Sequence, residues 1–304
     1  MQTRGPWEEH KTMVKPKIET IRLTQPYDLK ETLYSGQAFR WRQLQSPKST
    51  EGIWHEGFIN SIRVRLNQVD NCINIEFDPK HKDFVVHAVE TYLRVEDDMS
   101  SIYATMSSDQ YLQRATAQYS GLHILRQDPW ECLITFICSA NNNIPRIRQL
   151  IELICNSAGK YLTDHHGAYR TFPTSSEINN LGEQGLRNLG FGFRAKYIAK
   201  AAVMESEGQI SIRRLRGKSY EEILESLISI PGVGDKVANC VMLFSMDCLE
   251  AFPVDVWIKR ILRENYVTQQ DKVPDSQLRT WSQNQFGPFA GYVNQYLFHK
   301  RRMT

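Results

Sequence analysis

Two stretches in the first third of the chain alternate apolar and polar residues, as half-buried β-strands do. The apolar positions of the two stretches are Ile62, Val64, Leu66, Ile73, Ile75 and Phe77. The polar residues 67–71 between them are typical of a turn. This pattern predicts an antiparallel hairpin with one face in the core and the other in water. Further strands are expected at 39–44 and 57–59, followed by a helix near 84–93.

From about Asp109 onward the apolar residues recur with the 3.6-residue period of an α-helix. Asp128 followed by Pro129 is an N-cap and first-turn signal, which predicts a helix over 130–140. Pro145 opens a second helix, which Gly159 closes. Further helices are predicted over 195–207, 220–230, 234–246, 255–265, 275–286 and 288–300.

Together the two patterns predict an α+β fold. An N-terminal antiparallel β-sheet domain is expected to precede a larger all-helical domain that contains a helix–hairpin–helix motif. Residues 1–17 are expected to be a flexible tail, and 18–115 the sheet domain with its flanking helices. Residues 116–304 are then the helical domain, with its hairpin at 231–236.

Composition excludes several classes of protein. The 304 residues are 41% hydrophobic and carry a net charge of only +3, which permits a nucleic-acid partner without requiring one. No apolar run approaches the ~18 residues that cross a bilayer, and the polar start lacks the apolar segment of a signal peptide. The six cysteines include no C-x-x-C pair, which favours free thiols in a reducing compartment over a zinc site or an iron–sulfur cluster.

A Pro–Gly–Val–Gly turn at 231–234 separates two apolar helical runs. Pro231 ends the first helix because it cannot continue the hydrogen-bond ladder, and Gly232 and Gly234 permit positive φ. Such a turn followed by a helix start points backbone N–H groups outward, and these bind one phosphate of a nucleic acid. Binding of this kind is independent of base sequence. The alternative is an ordinary corner between two helices.

Lys236 lies in the first turn of the next helix, where the helix dipole and partial burial both disfavour an ammonium. A lysine with its pKa lowered in this way spends more time as the neutral amine, which is a nucleophile. Attack of that amine on a sugar carbon displaces a base and leaves a Schiff base. The alternative is a solvated lysine that contacts phosphate.

Asp255 follows Pro253 and precedes another apolar helical run. It is predicted to cap the helix 256–265, and the N–H groups of a helix start keep a carboxylate ionised. Beside a sugar, that carboxylate stabilises the positive charge that develops as the base departs. Lys236 and Asp255 are therefore the predicted catalytic pair. A cap without chemistry is the alternative, and the two roles are compatible.

Several motifs, in order, resemble those of the helix–hairpin–helix base-excision glycosylases, and most closely the 8-oxoguanine DNA glycosylase/lyase branch. They span roughly residues 20–300 and are SGQAFRW (35–41), CSANNNIPR (138–146), GFGFRAKYI (190–198), LISIPGVGDK (227–236) and PVD (253–255). The resemblance implies an enzyme that flips its target nucleotide out of the duplex, because chemistry cannot reach a stacked base.

The resemblance also implies a pocket for the flipped base. Cys240, one helical turn after Lys236, corresponds to one wall, and Phe298 corresponds to an aromatic opposite wall. Gly36 corresponds to the residue whose carbonyl accepts from N7–H of 8-oxoguanine, a donor that guanine lacks. Asn294 falls where the family often places an amide on the Watson–Crick edge. For each residue the alternative is a core position, or a turn for Gly36.

Residues that hold the opposite strand are implied in the same way. Asn141, Arg146 and Arg194 match residues that grip the orphaned cytosine, and Phe193 matches a wedge that keeps the duplex kinked. The alternatives are a helix end and turn around Asn141 and a solvated helix start for Arg194. Trp257 departs from the pattern: one subgroup has a histidine there near the lesion's phosphate, and an indole offers a single neutral donor.

The leading hypothesis is a bifunctional DNA repair enzyme that excises 8-oxoguanine opposite cytosine and then cleaves the strand by β-elimination. The alternatives are a helix–hairpin–helix glycosylase for another damaged base and a non-catalytic DNA-binding protein. No cofactor is required for this chemistry, and the one ion considered is a structural cation at the hairpin carbonyls. The expected partner is double-stranded DNA with a damaged base. A monomer without a membrane partner, located with DNA inside the cell, is expected.

Overall fold

The computed structural model describes residues 16–44, 52–266 and 273–303. In these ranges a five-stranded antiparallel sheet has the strand order β1-β5-β4-β3-β2. The strands are β1 Lys17–Arg22, β2 Arg42–Gln43, β3 Trp54–Ile59, β4 Ile62–Val69 and β5 Cys72–Phe77. The predicted flexible tail lies outside the described residues up to residue 15, and the sheet already begins at Lys17.

The predicted hairpin is formed by β4 and β5. Val69 pairs with Cys72, so the turn consists of Asp70 and Asn71 and is shorter than the predicted stretch 67–71. Asp70 has a φ of 49°, a left-handed conformation that aspartate tolerates in tight turns. The six apolar residues of the alternating pattern are at most 7% exposed, which confirms that this face lies in the core.

The opposite face of the sheet was predicted to lie in water, but a second hairpin covers part of it. This hairpin comprises β6 Tyr161–Asp164 and β7 Gly167–Arg170, which pair antiparallel. Arg63 of β4 donates from Nε to Asp164 Oδ2 at 2.8 Å, and neither side chain is more than 5% exposed. The description of the second domain as all-helical is therefore incomplete, although the α+β class is confirmed.

Thirteen α-helices lie in the described part of the chain. They are α1 Leu29–Tyr34, α2 Lys82–Leu93, α3 Met99–Met106, α4 Gln110–Gln118, α5 Pro129–Cys138, α6 Ile144–Ala158, α7 Ser175–Asn188, α8 Arg194–Ser206, α9 Tyr220–Ile228, α10 Asp235–Ser245, α11 Val256–Asn265, α12 Asp275–Phe286 and α13 Ala290–Met303. Each predicted helix is present with ends shifted by no more than three residues, and α12 has the predicted bounds. The sequence analysis predicted no ranges for α1, α3, α4 and α7, and Gly182 interrupts α7 with a φ of 66°.

Buried side chains form two hydrophobic clusters. One joins the sheet to α1 and α2, and the other joins the helices from α3 to α13. Met99 of α3 and Leu112 of α4 belong to the helical cluster although they precede the predicted boundary at 115, whereas Leu125 belongs to the sheet cluster. Within the helical cluster α10 is buried from Val237 to Ser245 and packs against α5 and α9. No helix in the described ranges is both long enough and apolar enough to cross a membrane.

Replacement of Arg63 by alanine is expected to lower the free energy of unfolding by about 3–5 kcal/mol, because the Asp164 carboxylate then stays buried without its partner. Urea unfolding followed by circular dichroism measures the loss. Arg42→Ala is the matched control: Arg42 pairs with Glu56 of the same sheet but is 70% exposed, so its removal should cost at most about 1 kcal/mol. Equal losses in the two variants would contradict the role given to Arg63.

Candidate active site

Lys236 is the second residue of α10 and is partly buried. Its amine donates to Ser139 Oγ at 2.9 Å and lies 5.2 Å from the centre of the Phe136 ring. Ser139, at the end of α5, in turn donates to the carbonyl of Phe136 at 2.7 Å. The hydroxyl and the ring face therefore hold the amine at a defined place, and sequence spacing could not reveal these contacts across 97 residues.

The turn before α10 depends on one of its two glycines. Gly232 has a φ of 86°, and a Cβ at this position would lie 2.3 Å from Cγ of Tyr197. Gly234 has a φ of −97°, and a Cβ there would meet open space. Gly232 thus adopts the positive φ that both glycines permit, and Gly234 does not. Both glycines are exposed, so the backbone of the turn is accessible to a phosphate, whose binding stays a prediction.

Asp255 caps α11, as predicted. Its carboxylate accepts a hydrogen bond from Ile258 N–H at 2.8 Å. Burial raises the pKa of Asp255, and the Ile258 N–H and the charge of Lys236 oppose this effect only in part. The pKa of Asp255 is therefore raised, whereas the helix cap alone would lower it. The sequence-based expectation considered the cap and left out the loss of hydration on burial. The influence of Lys236 also shows that the two groups lie within electrostatic reach of each other.

Lys236 and Asp255 line the same cavity, which has a volume of about 860 Å³. Every residue predicted to bind the base lines it as well, namely Gly36, Cys240, Asn294 and Phe298. Sites for small ligands have volumes of roughly 300–1,000 Å³, so the cavity is large enough for one nucleoside. The structure therefore brings the predicted catalytic and base-binding residues together.

The wall residues have distinct properties. Burial raises the pKa of Cys240 to about 11, so this wall presents a neutral, polarisable thiol at neutral pH. Gly36 has a φ of 91°, and a Cβ there would lie 3.1 Å from Cε1 of Phe298 and 3.3 Å from Cδ1 of Ile144. Glycine is thus the residue that permits both the backbone conformation and the close approach of the aromatic wall.

Asn294 has a contact that the sequence analysis did not foresee. Its side-chain amide donates to the carbonyl of Pro253 at 2.9 Å, and the residue is 4% exposed. This bond ties α13 to the segment that carries Asp255. A contact with the Watson–Crick edge of a base stays a prediction for Asn294.

The residues predicted to hold the opposite strand lie beside the cavity and do not line it. Arg194 donates to the carbonyl of Asn141 at 2.9 Å, and Arg146 donates to that of Gly190 at 3.0 Å. Arg194 is therefore bonded to the backbone at the start of α8, and it stays partly exposed. Phe193 is 49% exposed, with the guanidinium carbon of Arg194 4.5 Å from its ring centre. These side chains form one surface cluster, whose DNA contacts stay a prediction.

Trp257 also lines the cavity, and sequence reasoning treated it only as a departure from the family pattern. The side chain is 49% exposed, and the guanidinium carbon of Arg260 lies 5.5 Å from its ring centre. Asp255, two residues earlier, caps the same helix, so Trp257 lies at the start of α11 beside the Asp255 carboxylate.

Known proteins match this chain over most of its length. Residues 20–133 match the model for the 8-oxoguanine DNA glycosylase N-terminal domain, and residues 134–283 match that for HhH-GPD superfamily base excision DNA repair proteins. The N-glycosylase/DNA lyase of Saccharomyces cerevisiae is 32% identical over 271 residues, which cover 83% of this chain and 72% of the yeast protein. The chain belongs to the 8-oxoguanine DNA glycosylase family. This membership confirms the resemblance that the motifs indicated.

Two further relatives extend over nearly the whole of this glycosylase. The probable N-glycosylase/DNA lyase of Methanothermobacter thermautotrophicus is 30% identical over 299 residues, or 91% of this chain and 94% of its own. The structure of Clostridium acetobutylicum 8-oxoguanine glycosylase/lyase, in complex with double-stranded DNA containing cytosine opposite 8-oxoguanine, has a TM-score of 0.82 at 29% identity. The alignment covers 96% of this glycosylase and 98% of the clostridial chain.

Gly232→Ala is expected to destabilise the glycosylase by about 1–3 kcal/mol, because its Cβ would overlap Tyr197 and alanine disfavours positive φ. Gly234→Ala is the matched control and should cost less than about 1 kcal/mol, since only its capping preference changes. Urea unfolding measures both values. Equal stability of the two variants would show that contact with Tyr197 does not constrain the turn.

Proposed function

We propose that this protein excises 8-oxoguanine opposite cytosine from duplex DNA and then cleaves the strand as an abasic-site lyase. The observation that carries the proposal is the convergence of Lys236 and Asp255 on one cavity large enough for a nucleoside. Replacement of a glycosidic bond by a Schiff base requires an amine nucleophile and, beside it, a carboxylate that stabilises the developing positive charge. Relatives named N-glycosylase/DNA lyase support the same reaction class.

The first step is extrusion of the damaged nucleotide into the cavity. Unstacking costs a few kcal/mol, and the cavity returns part of this through contacts with the flat face of the base. The neutral thiol of Cys240 and the ring of Phe298 supply dispersion and stacking, of about 1–3 kcal/mol. Because Gly36 has no side chain, its backbone lies close to the ring of Phe298, and this backbone contacts the edge of the base.

The second step replaces the base by the lysine amine. Lys236 Nζ gives a proton to solvent and forms a bond to C1′ while the C1′–N9 bond breaks. The electron pair of that bond leaves with the base, which then takes up a proton. The carboxylate of Asp255 stabilises the positive charge on the sugar in the transition state. Ser139 and Phe136 act as positioning residues, since both contact the Lys236 amine.

The third step breaks the strand. The C1′–O4′ bond opens to give a protonated Schiff base, which makes the C2′ proton acidic. Loss of that proton and cleavage of the C3′–O bond release the 3′ phosphate, and water then hydrolyses the Schiff base to free Lys236. The reaction consumes no cofactor, because the amine serves as both nucleophile and electron sink.

The proposal includes the setting in which the enzyme works. It acts as a monomer on double-stranded DNA inside the cell, and phosphates of that DNA bind the exposed turn that contains Gly232 and Gly234. A structural cation at the carbonyls of this turn is a further prediction. Arg146, Arg194 and Asn141 then contact the opposite cytosine, and Phe193 fills the gap in the duplex.

Lys236→Gln is expected to abolish both base release and the covalent adduct that borohydride traps on a duplex with 8-oxoguanine opposite cytosine. Denaturing gels report the adduct and the cleaved strand, and Lys30→Gln, at a lysine whose side chain is 63% exposed, is the matched control with wild-type behaviour. An adduct formed only with another damaged base would favour the alternative glycosylase. Tight binding with no adduct from the wild type would favour a non-catalytic protein.

The raised pKa of Asp255 predicts the acid side of the pH profile. Single-turnover excision should fall as the pH drops through a value above that of an exposed aspartate, because protonation removes the stabilising charge. Asp255→Asn should lower the rate by about 100-fold or more at pH 7 and remove this acid limb. An acid limb that persists in the variant would assign it to another group.

The same raised pKa predicts an effect of opposite sign on stability. A carboxyl whose pKa is higher in the folded state opposes folding once it is ionised, so the penalty is present at pH 7 and is relieved as the pH falls through the folded-state pKa. Asp255→Asn should therefore be more stable than the wild type at pH 7, and the difference should shrink in acid. Urea unfolding at the two pH values measures it, and a less stable variant at pH 7 would contradict the burial effect.

A further inference from the structure

A cluster of metal-ligand side chains lies where the β6–β7 hairpin meets the outer face of the sheet. Glu76 of β5 and His165 and His166 of the hairpin turn each offer one ligand atom, and these atoms lie within 4.8 Å of one another. None of the three residues lines the cavity of Lys236 and Asp255. The proposed glycosylase reaction thus leaves this cluster without an explanation.

His165 provides the observation that points to a ligand. Both of its ring nitrogens are buried, and neither has a hydrogen-bond partner among the residues that the structure describes. Buried polar atoms are nearly always paired with protein, water or an ion, so an imidazole with two unpaired nitrogens needs a partner. A neutral imidazole nitrogen is also the commonest metal ligand in proteins.

The neighbouring contacts fix the two imidazoles over one carboxylate. His166 Nε2 lies 2.5 Å from Glu76 Oε1, and the ring centres of His165 and His166 are 3.9 Å apart. The backbone N–H of His166 donates to Asp164 Oδ1 at 2.7 Å, and Arg63 holds that aspartate on the sheet. The hairpin turn is therefore positioned by an ion pair that does not use the ligand atoms.

The two arginines beside the cluster, Arg63 and Arg65, each have a carboxylate partner other than Glu76. Arg63 is paired with Asp164, and Arg65 donates from Nε to Glu56 at 2.9 Å. A second nitrogen of Arg65 lies 3.3 Å from Glu76 Oε1. Because Arg65 has its own partner in Glu56, Glu76 can turn its carboxylate to a cation without leaving this arginine unpaired.

We propose that Glu76, His165 and His166 bind one Zn²⁺ ion, which fastens the β6–β7 hairpin to the sheet. Two imidazoles and one carboxylate form a donor set that zinc accepts, with water in the fourth position. The metal replaces the hydrogen bond between Glu76 and His166, and the neutral imidazole that ligates through Nε2 then carries its proton on Nδ1. The site is separate from the cavity that holds Lys236, so the metal takes no part in the proposed glycosylase reaction.

The test is direct titration of the full-length protein with ZnCl₂ after treatment with a chelator and dialysis. Isothermal titration calorimetry should give one equivalent for the wild type and none for the His165→Ala/His166→Ala double variant. His87→Ala, at an exposed histidine of α2, is the matched control and should retain the equivalent. Circular dichroism verifies that each variant is folded. If the double variant is unfolded, Glu76→Gln provides a second variant that lacks one of the proposed ligands.

Hydrogen–deuterium exchange gives an independent readout of where the metal binds. Added Zn²⁺ should slow exchange of the amides in 161–170 in the wild type and leave the double variant unchanged. A wild type that binds no stoichiometric zinc would overturn the proposal. So would an equivalent that survives replacement of both histidines, because it would place the metal on other groups such as the cysteines.

Discussion

Two helix starts place charges of opposite sign at one buried cavity, and the active site depends on this arrangement. The positive end of α11 favours the Asp255 carboxylate, whereas the positive end of α10 disfavours an ammonium at Lys236. Burial removes water from the carboxylate and makes its interaction with the lysine stronger than it would be in solvent. The fold therefore keeps the Lys236 amine and the Asp255 carboxylate at one cavity, where burial of the carboxylate opposes its charge.

Packing supplies the stability that this arrangement needs. Nine consecutive residues of α10, Val237–Ser245, are buried, so the depth and rotation of the helix are fixed by the core and not by the charge at its start. The groups around the cavity come from separate elements: Ser139 from the end of α5, Asn294 from α13 and Gly36 from the loop after α1. Each makes a contact that fixes a neighbour in place, and a site held in this way loses little free energy to reorganisation during the reaction.

Local features were predictable from the sequence, and contacts between distant segments were not. The cap at Asp255, the helix opened by Asp128 and Pro129 and the β4–β5 hairpin depend on neighbouring residues, and all were found. The β6–β7 hairpin covers a face predicted to be wet, because the partner of Arg63 lies 101 residues away. Gly232 adopts a positive φ and Gly234 does not, because a glycine permits that conformation without requiring it. The family motifs indicated which residues line the cavity, whereas the contact between Ser139 and Lys236 could be found only from the fold.

The surface beside the cavity extends the same principle to the predicted opposite-strand residues. Arg194 is bound to the carbonyl of Asn141 and Arg146 to that of Gly190, so both guanidinium groups are held before any DNA arrives. A guanidinium has five N–H donors, and one that holds a backbone carbonyl still has donors for a base edge. Side chains ordered in advance lose less conformational entropy on binding. The bond from Arg194, the first residue of α8, reaches the turn after α5, and the bond from Arg146 of α6 reaches the turn before α8. The candidate surface for the opposite strand and Ser139, the partner of the Lys236 amine, therefore both adjoin the turn after α5.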